Sequence, residues 1–296
     1  MQVNNPIKLY LNGLAASGRR SCYSQLNTVR QVLNWPKPLE EQPFHLLSYS
    51  QLEMLKVQML NQGQARKTIN RAIQLIKGIV NAAYSLELIS HKDLMRIKSV
   101  KSVKNQSSDK GQALSPENIN KLLKEMKMKS DWVGIRDLAI FTMLLSTGIR
   151  RTELCNLELA DYISEVGQIL IRSGKGGKFR RQFLPKWSIS SIEQWLRIRG
   201  SNQGPLFLAR GRFKGLSSDA LYRLVVKRTK TILNRRYTPH DLRRTYITEL
   251  LNSGADVLTV SRMAGHANVS TTQLYDKRGI EAQIQAAQAL DFSRGE

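Results

Sequence analysis

The stretch of sequence that decides the fold is residues 131–148, DWVGIRDLAIFTMLLSTG. Residues 138–145 are apolar except for Thr142, a pattern typical of a helix that other elements surround on all sides. Gly148 follows, and glycine readily adopts the left-handed conformation that ends a helix. The sequence therefore predicts a central buried helix over residues 131–147. Its apolar run is too short to span a bilayer, which takes about 20 residues.

A second long helix is predicted over residues 64–87, where apolar residues recur at three- and four-residue spacing and form one stripe. Lys67 and Arg71 lie off this stripe, facing solvent or a partner. Ser50 and Glu53 resemble a capping box at the start of the preceding helix. Shorter patterns predict further helices over residues 21–35, 51–60, 116–126, 218–233, 240–253, 257–263 and 279–290, with another near residue 188.

A β-hairpin is predicted where two short runs, residues 167–173 and 179–184, flank the glycine-rich turn 174–177. This is the one clear β signal in a chain of helical patterns. The predicted fold class is therefore mainly α with a small antiparallel β-sheet.

Lysines alternate with small and polar residues from residue 98 onward, and large apolar side chains are lacking until Leu114. This composition is typical of an interdomain linker. We expect residues 98–112 to form a flexible basic linker between an N-terminal helical domain, residues 1–97, and a second domain, residues 113–296.

The composition narrows the possible partners. There are 46 Lys and Arg residues against 23 Asp and Glu, a net charge of +23, which attracts polyanions: nucleic acid first, and an anionic membrane surface second. The two cysteines, Cys22 and Cys155, are too few for a disulfide framework, and no Cys/His cluster indicates zinc. The first residues do not have the pattern of a signal peptide, so a cytoplasmic location is expected.

Several ionisable side chains lie where phosphate chemistry would need them. Arg150 starts a helix, where backbone N–H groups and the helix dipole favour an anion. His240 and Arg243 share one face of a helix that begins after a proline. In isolation each has an ordinary explanation, such as an ion pair of Arg150 with Glu153 or His240 acting as a cap residue.

Three more candidates follow the same logic. Lys175 is at the tip of the predicted hairpin, His266 follows Gly265 at the end of a short helix, and Tyr275 lies nine residues further on in a polar, exposed segment. A solvated lysine, a structural imidazole or a packing tyrosine would look the same in sequence. Taken together, however, the cations and the tyrosine form a set suited to attacking a phosphodiester with a protein hydroxyl. Such chemistry needs no ATP and no metal.

At these residues the sequence resembles the tyrosine recombinase (phage integrase) family, and in length its compact Xer-like members. The resemblance is strong over residues 114–290 and looser before them. Four segments carry it, each similar to one family box: TGIRRTEL (147–154), SGKGGKFR (173–180), HDLRRTYIT (240–248) and AGHANVSTTQLYDK (264–277). Arg244 stands where many members have a second histidine.

The resemblance implies a role for each matching residue. Arg150 and Arg243 would clamp the phosphate, Lys175 would be the general acid for the 5′-hydroxyl leaving group, His240 would transfer a proton or orient the phosphate, His266 would donate a hydrogen bond, and Tyr275 would be the nucleophile that forms a 3′-phosphotyrosyl link. No cofactor is implied. Lys67 and Arg71 are our candidates for DNA-contacting residues.

The resemblance also implies a two-domain DNA clamp, with an N-terminal core-binding domain and an α+β catalytic domain. Partners would be double-stranded DNA core sites, a homodimer on each site and a homotetramer in the synapse, reacting through a Holliday junction. Chromosome-dimer resolution, integration of a mobile element and transposition all use this machinery. A type IB topoisomerase and a non-catalytic DNA-binding accessory protein are the alternatives, and the C-terminal helix is compatible with docking on its own chain or on a neighbour.

Overall fold

The computed structural model describes residues 5–36, 38–104, 111–172, 179–211, 214–276 and 278–288. The chain divides into two compact units, Met1–Asp109 and Lys110–Glu296, called here the N-terminal and C-terminal units. Each unit has a hydrophobic core of its own. None of the helices in the described ranges is long and apolar enough to cross a membrane.

The N-terminal unit is built around one long helix. Its helices are α1 (Pro6–Asn12), α2 (Ala16–Val32), α3 (Tyr49–Asn61), α4 (Arg66–Ser85) and α5 (His91–Lys98), with 3-10 turns at Leu39–Glu41 and Phe44–Leu46. α4 confirms the long helix predicted over residues 64–87. Ile69, Ile73 and Ile76 on its apolar stripe are fully buried, and the other four helices pack against α4.

Two predicted helix starts are wrong, for different reasons. α3 is capped by Ser48 and not by Ser50: the Ser48 hydroxyl accepts from the N–H of Gln51 at 3.3 Å, and the Gln51 side chain accepts from the N–H of Ser48 at 2.8 Å. α2 begins at Ala16, before the predicted residue 21, because its N-cap is Ala15, which has no capping side chain to signal a start.

The chain from the end of α5, residues 98–104, is hydrogen-bonded to α4, although it was expected to belong to a flexible linker. Lys77 Nζ donates to the carbonyl oxygen of Val100 at 2.7 Å. Asn70 donates to the carbonyl oxygen of Val103 at 2.9 Å and accepts from the Val103 N–H at 2.7 Å. For these residues the prediction of a flexible linker is therefore wrong.

The C-terminal unit has a small sheet among its helices. Its elements are α6 (Pro116–Lys127), α7 (Trp132–Thr147), α8 (Arg151–Cys155), β1 (Tyr162–Ile163), β2 (Gln168–Ile171), β3 (Arg180–Phe183), α9 (Lys186–Arg199), α10 (Ser218–Leu233), α11 (Pro239–Asn252), α12 (Val257–Ala264), α13 (Ser270–Gln273) and α14 (Gly279–Gln288), with 3-10 turns at Leu159–Asp161 and Ser164–Val166.

α7 confirms the predicted central helix, because it is buried from Gly134 to Thr147 and packs against α6, α9 and α11. Gly148 ends it with φ at 56°. A Cβ at this glycine would lie 2.2 Å from the ring of Tyr246, so a side chain would meet both backbone strain and a clash. This tight turn leads the chain out of the core directly into Arg150.

The sheet is antiparallel in the order β1-β2-β3. β2 and β3 confirm the two strands of the predicted hairpin, with Ile169 paired to Gln182, while the turn between them falls in residues 173–178, outside the described residues. β1 is only two residues long and has no pattern of its own in the sequence. The Gln182 side chain donates to the carbonyl oxygen of Met263, which joins β3 to α12.

Candidate active site

A cavity of about 360 Å³ in the C-terminal unit brings together the residues predicted to act on phosphate. We call it the phosphate cavity. Its lining is polar and basic: Arg150, Arg151, Pro239, His240, Arg243, His266, Ala267, Asn268, Thr271 and Tyr275. Five of the six predicted catalytic residues are in this lining, and Lys175 lies outside the described residues.

Helix ends place these side chains. Arg150 is the N-cap of α8, and His240 and Arg243 belong to the first turns of α11, which is capped by Thr238 and starts with a proline. His266 follows the left-handed Gly265 at the end of α12, and Tyr275 comes just after α13. These side chains therefore come from the ends of four different helices and line the same cavity.

Arg243 is the most deeply set of the cavity's cations, with 4% of its surface exposed. Its Nη1 donates to the carbonyl oxygen of Gly148 at 2.7 Å and its Nη2 to that of Ala264 at 2.6 Å. Burial, with the positive charge of Arg150 nearby, lowers the pKa of Arg243 to about 10. It is therefore still positively charged at neutral pH, and its orientation is fixed by the main chain.

Arg150 is held by a buried carboxylate. Its Nη1 donates to Glu153 at 2.8 Å, its backbone N–H donates to the same carboxylate at 2.9 Å, and its Nη2 donates to the carbonyl oxygen of Gly265. The ion pair between Arg150 and Glu153, the ordinary explanation for Arg150, is thus present within the cavity wall. It orients the guanidinium and does not remove it from the cavity.

Arg180 on β3 binds the same carboxylate and is absent from the predicted set. Its Nη1 and Nη2 donate to the two oxygens of Glu153 at 2.9 and 2.6 Å. Although burial alone would raise the pKa of Glu153, the two guanidiniums, Arg180 first, lower it to about 2. One carboxylate therefore links the sheet to the N-terminus of α8.

His266 is neutral at physiological pH. Burial, followed by the charges of Arg243 and Arg150, lowers its pKa to about 4. Its Nδ1 is hydrogen-bonded to the buried hydroxyl of Thr272 at 2.8 Å. In the tautomer where Nδ1 accepts this hydrogen bond, the Nε2–H is left to donate to an anion.

Tyr275 itself is half-buried, although most of the segment before it, including Thr271, Gln273 and Leu274, is exposed as expected from the sequence. Its ring stacks near that of His266, with centroids 6.4 Å apart and planes 20° from parallel. The guanidinium carbon of Arg244 lies 5.0 Å from the centre of the same ring. Its backbone N–H donates to the carbonyl oxygen of Thr272 at 2.9 Å, which holds the residue close to α13.

Two arginines were missed by sequence reasoning, one that lines the cavity and one that binds Glu153. Arg151 lines the cavity and lies over the ring of Tyr222 at 5.6 Å; only its position beside Arg150 could have suggested it. Arg180 lies in a strand, RRQF, without the alternation of apolar and polar residues that would tell which face is inward. Its partner Glu153 is 27 residues earlier in the chain.

The predicted DNA-contacting residues lie on the N-terminal unit. Lys67 and Arg71 are both exposed on α4, off its buried stripe, as the periodicity predicts. Arg71 donates a hydrogen bond to the hydroxyl of Ser21 on α2. Within the described parts of the chain no group of His, Cys, Asp and Glu is arranged to hold a metal ion.

A mainly helical fold with arginines, histidines and a tyrosine around one cavity is suited to binding a phosphate beside a protein hydroxyl. Residues 112–279 match the phage integrase family. The tyrosine recombinase XerC of Alcanivorax borkumensis is 27% identical over 274 residues, covering 91% of this chain and 88% of that protein. XerA of Thermococcus kodakarensis is 30% identical over 213 residues, covering 72% of each.

Solved structures share the fold. The Tn1549 transposon integrase in complex with a circular intermediate DNA superposes with a TM-score of 0.74 at 18% identity, covering 97% of this chain and 99% of that one. A lambda integrase dimer bound to a core site gives 0.69 at 14% identity, covering 94% and 78%. The chain belongs to the phage integrase family of tyrosine site-specific recombinases. These relatives favour recombination over the topoisomerase and accessory-protein alternatives.

Proposed function

We propose that this recombinase cuts and rejoins DNA strands by transferring the scissile phosphate to Tyr275. The phenol oxygen attacks phosphorus, the bond to the 5′ oxygen breaks, and a 3′-phosphotyrosyl link and a free 5′-hydroxyl result. The observation that carries the proposal is that Tyr275 lines the same cavity as Arg150, Arg243, His240 and His266. The link conserves the energy of the broken bond, so rejoining needs no ATP.

Arg150 and Arg243 would bind the non-bridging oxygens of the phosphate. Negative charge builds on these oxygens in the transition state, and guanidinium groups with fixed orientations stabilise it without reorganisation. The hydrogen bonds from both arginines to main-chain carbonyl oxygens support this role. They hold the two cations in position before DNA binds.

The two histidines and Lys175 would make the remaining contacts with the phosphate and transfer protons. A neutral His266 donates from Nε2 to a phosphate oxygen, and His240, exposed at the start of α11, transfers a proton or orients the phosphate. Lys175 is proposed as the general acid for the 5′-hydroxyl, on the strength of its place in the hairpin motif. No cofactor is required by this scheme.

The N-terminal unit would bind DNA as a core-binding domain, with Lys67 and Arg71 contacting phosphates. Both are exposed cations on the polar side of α4. Such contacts add affinity without reading sequence. The cytoplasm, where DNA is accessible, is the proposed location.

We further propose that the protein acts as a homodimer on each core site and as a homotetramer when two sites meet, exchanging strands through a Holliday junction. The C-terminal helix would dock on a neighbouring copy. On α14, Ile280 and Ile284 are 69% and 49% exposed. An apolar groove of about 500 Å³ beside Trp187, Tyr246 and Leu250 offers a complementary surface.

Covalent capture on DNA tests the proposal. DNA flanking the gene is incubated with the full-length protein, and the cleavage positions are mapped from protein–DNA adducts that resist SDS. Tyr275→Phe should abolish the adduct while leaving DNA affinity unchanged, because only the nucleophilic oxygen is lost.

Tyr222→Phe, which removes an exposed phenol of the same unit, is the matched control and should still form the adduct. An adduct that persists in Tyr275→Phe would show that another residue is the nucleophile. Relaxation of supercoiled plasmids without any preferred site would favour a topoisomerase instead.

A further inference from the structure

Arg244 directs its charge at Tyr275. It follows Arg243 in α11, so the two arginines leave the helix in different directions. Arg243 binds main-chain oxygens at the phosphate cavity, whereas the guanidinium carbon of Arg244 lies 5.0 Å from the centre of the Tyr275 ring. This distance is within the range of a cation–π interaction.

The positive charge of Arg244 is not neutralised by a carboxylate in the described part of the chain. Its Nε is buried without a hydrogen-bond partner, and no carboxylate among the described residues forms an ion pair with it. Arg150, Arg180 and Arg228, by contrast, all bind buried carboxylates. The ring of Tyr275 is the one partner that the structure shows for this guanidinium among the described residues.

Tyr275 has room to move on the side where Arg244 lies. A second cavity of about 470 Å³ is lined by both residues and by Gly111, Gln112, Ala113, Thr248 and Leu274. Tyr275 therefore borders two cavities, and a ring that turned into the second would leave the phosphate. Tyr275 is only partly buried where it packs against the apolar residues of α11 and α12, so this packing leaves the residue in contact with the second cavity.

We propose that Arg244 is a positioning residue that holds the phenol of Tyr275 toward the phosphate cavity. The cation–π contact fixes the ring from its face and leaves the hydroxyl free to attack. This inference rests on the proposed function, in which Tyr275 is the nucleophile. It assigns Arg244 no contact with the DNA.

Single-turnover kinetics tests the inference on a nicked duplex that carries the cleavage site mapped with the unaltered protein. Arg244→Gln should lower the rate of adduct formation at saturating DNA by about tenfold, the effect of losing a partly desolvated cation–π contact. Its Kd for DNA should stay within about twofold. Arg244→Lys keeps a cation near the ring and should recover the rate to within about threefold of the unaltered protein.

Two controls distinguish a loss of positioning from a loss of folding and from the loss of a positive charge anywhere on the protein. Arg197→Gln removes an exposed arginine from α9 and should leave the rate unchanged, and thermal denaturation followed by circular dichroism verifies that each variant is folded. Equal rates in Arg244→Gln and the unaltered protein would overturn the proposal. The proposal would also be overturned if Arg244→Gln bound DNA more weakly and its affinity depended less on salt, by the amount of about one phosphate contact. That result would show that Arg244 contacts a phosphate.

A measurement without DNA keeps the test independent of the proposed function. In protein labelled with 3-fluorotyrosine, the fluorine resonance of Tyr275 is the one missing from Tyr275→Phe. Arg244→Gln should shift and narrow this resonance as the ring becomes mobile, while Arg244→Lys should change it less. An unchanged resonance would overturn the positioning role, whereas failure of the unaltered protein to form any adduct would overturn only the proposed function.

Discussion

Glu153 is a buried carboxylate that binds Arg150 in the wall of the phosphate cavity and Arg180 on β3 behind it. Its side chain is 2% exposed and forms ion pairs with Arg150 and Arg180. Removing one partner of a buried ion pair is costly because it leaves the other charges uncompensated. Here the loss would leave two guanidiniums close together without the carboxylate that offsets their repulsion.

We expect Glu153→Gln to lower the free energy of unfolding by about 3 kcal/mol at neutral pH, measured by urea denaturation. The folded-state pKa of Glu153, about 2, lies below its ordinary value of 4.5. Its stabilisation is therefore complete above pH 4.5 and is lost as the pH falls toward 2. The difference in the free energy of unfolding between Glu153→Gln and the unaltered protein should therefore become smaller as the pH falls over that range. The reason is that glutamine, like the protonated acid, carries no charge.

Glu125→Gln on α6 is the control, because Glu125 is exposed and should change stability by less than about 0.5 kcal/mol. A Glu153→Gln protein as stable as the unaltered one would contradict the assignment of Glu153 as the residue that holds these arginines.

Among the elements, those with local signals could be predicted and those set by distant contacts could not. α6 and α10 carry serine caps and clear periodicity, and their predicted bounds agree with the structure within a residue. The stretch 98–104 was misread because the groups that bind it, such as Asn70 and Lys77, come from α4. Nothing in the composition of a segment shows what another helix will donate to it.

The candidate site divides in the same way. Short motifs at helix ends led to Arg150, His240 and Tyr275, because each motif contains its own turn or cap. Contacts between different elements could not be predicted in this way. Examples are the ion pair of Arg180 with Glu153 and the cation–π contact of Arg244 with Tyr275. Only the folded chain reveals such pairs.

α4 is the element whose charged face we expect to contact DNA. Lys67→Gln and Arg71→Gln should each weaken DNA binding about equally for specific and unrelated sequences. Each should also reduce the slope of log K against log salt concentration by the amount that corresponds to about one phosphate contact. Fluorescence anisotropy between 50 and 200 mM salt measures both effects.

Lys92→Gln on α5 is a suitable comparison, because it removes the same exposed charge from another helix of the unit. A slope that is the same in all three variants and in the unaltered protein would exclude a role for this face of α4.

At the scale of the whole molecule, a net charge of +23 opposes the approach of one copy to another unless DNA neutralises it. Apolar contacts between copies must therefore be specific and well placed. The exposed isoleucines of α14 and the groove near Trp187 are the surfaces we propose for these contacts. We expect assembly to depend on DNA and on both surfaces.

Replacing Ile280 and Ile284 together by Asp should prevent the protein from forming dimers and tetramers on DNA, while one copy still binds a half-site. Trp187→Ala, on the acceptor side, should weaken assembly in the same direction. Native gels and analytical ultracentrifugation of protein–DNA complexes distinguish these species.

Gln288→Asp places a negative charge on an exposed position of the same helix and should assemble normally. Normal tetramers of the Ile280 and Ile284 double variant would show that α14 does not join the copies.

Arg150 and Arg243, the two arginines proposed to bind the phosphate, are anchored by the carbonyl oxygens of Gly148, Ala264 and Gly265. These three contacts use main-chain atoms, so they depend directly on the path of the backbone, which at the turn after α7 requires Gly148. The sequence around the cavity is therefore constrained where it sets that path and where Glu153 binds Arg150 and Arg180. An integrase that is only 18% identical shares the fold along almost the entire chain, so the backbone path on which these contacts depend is compatible with very different sequences.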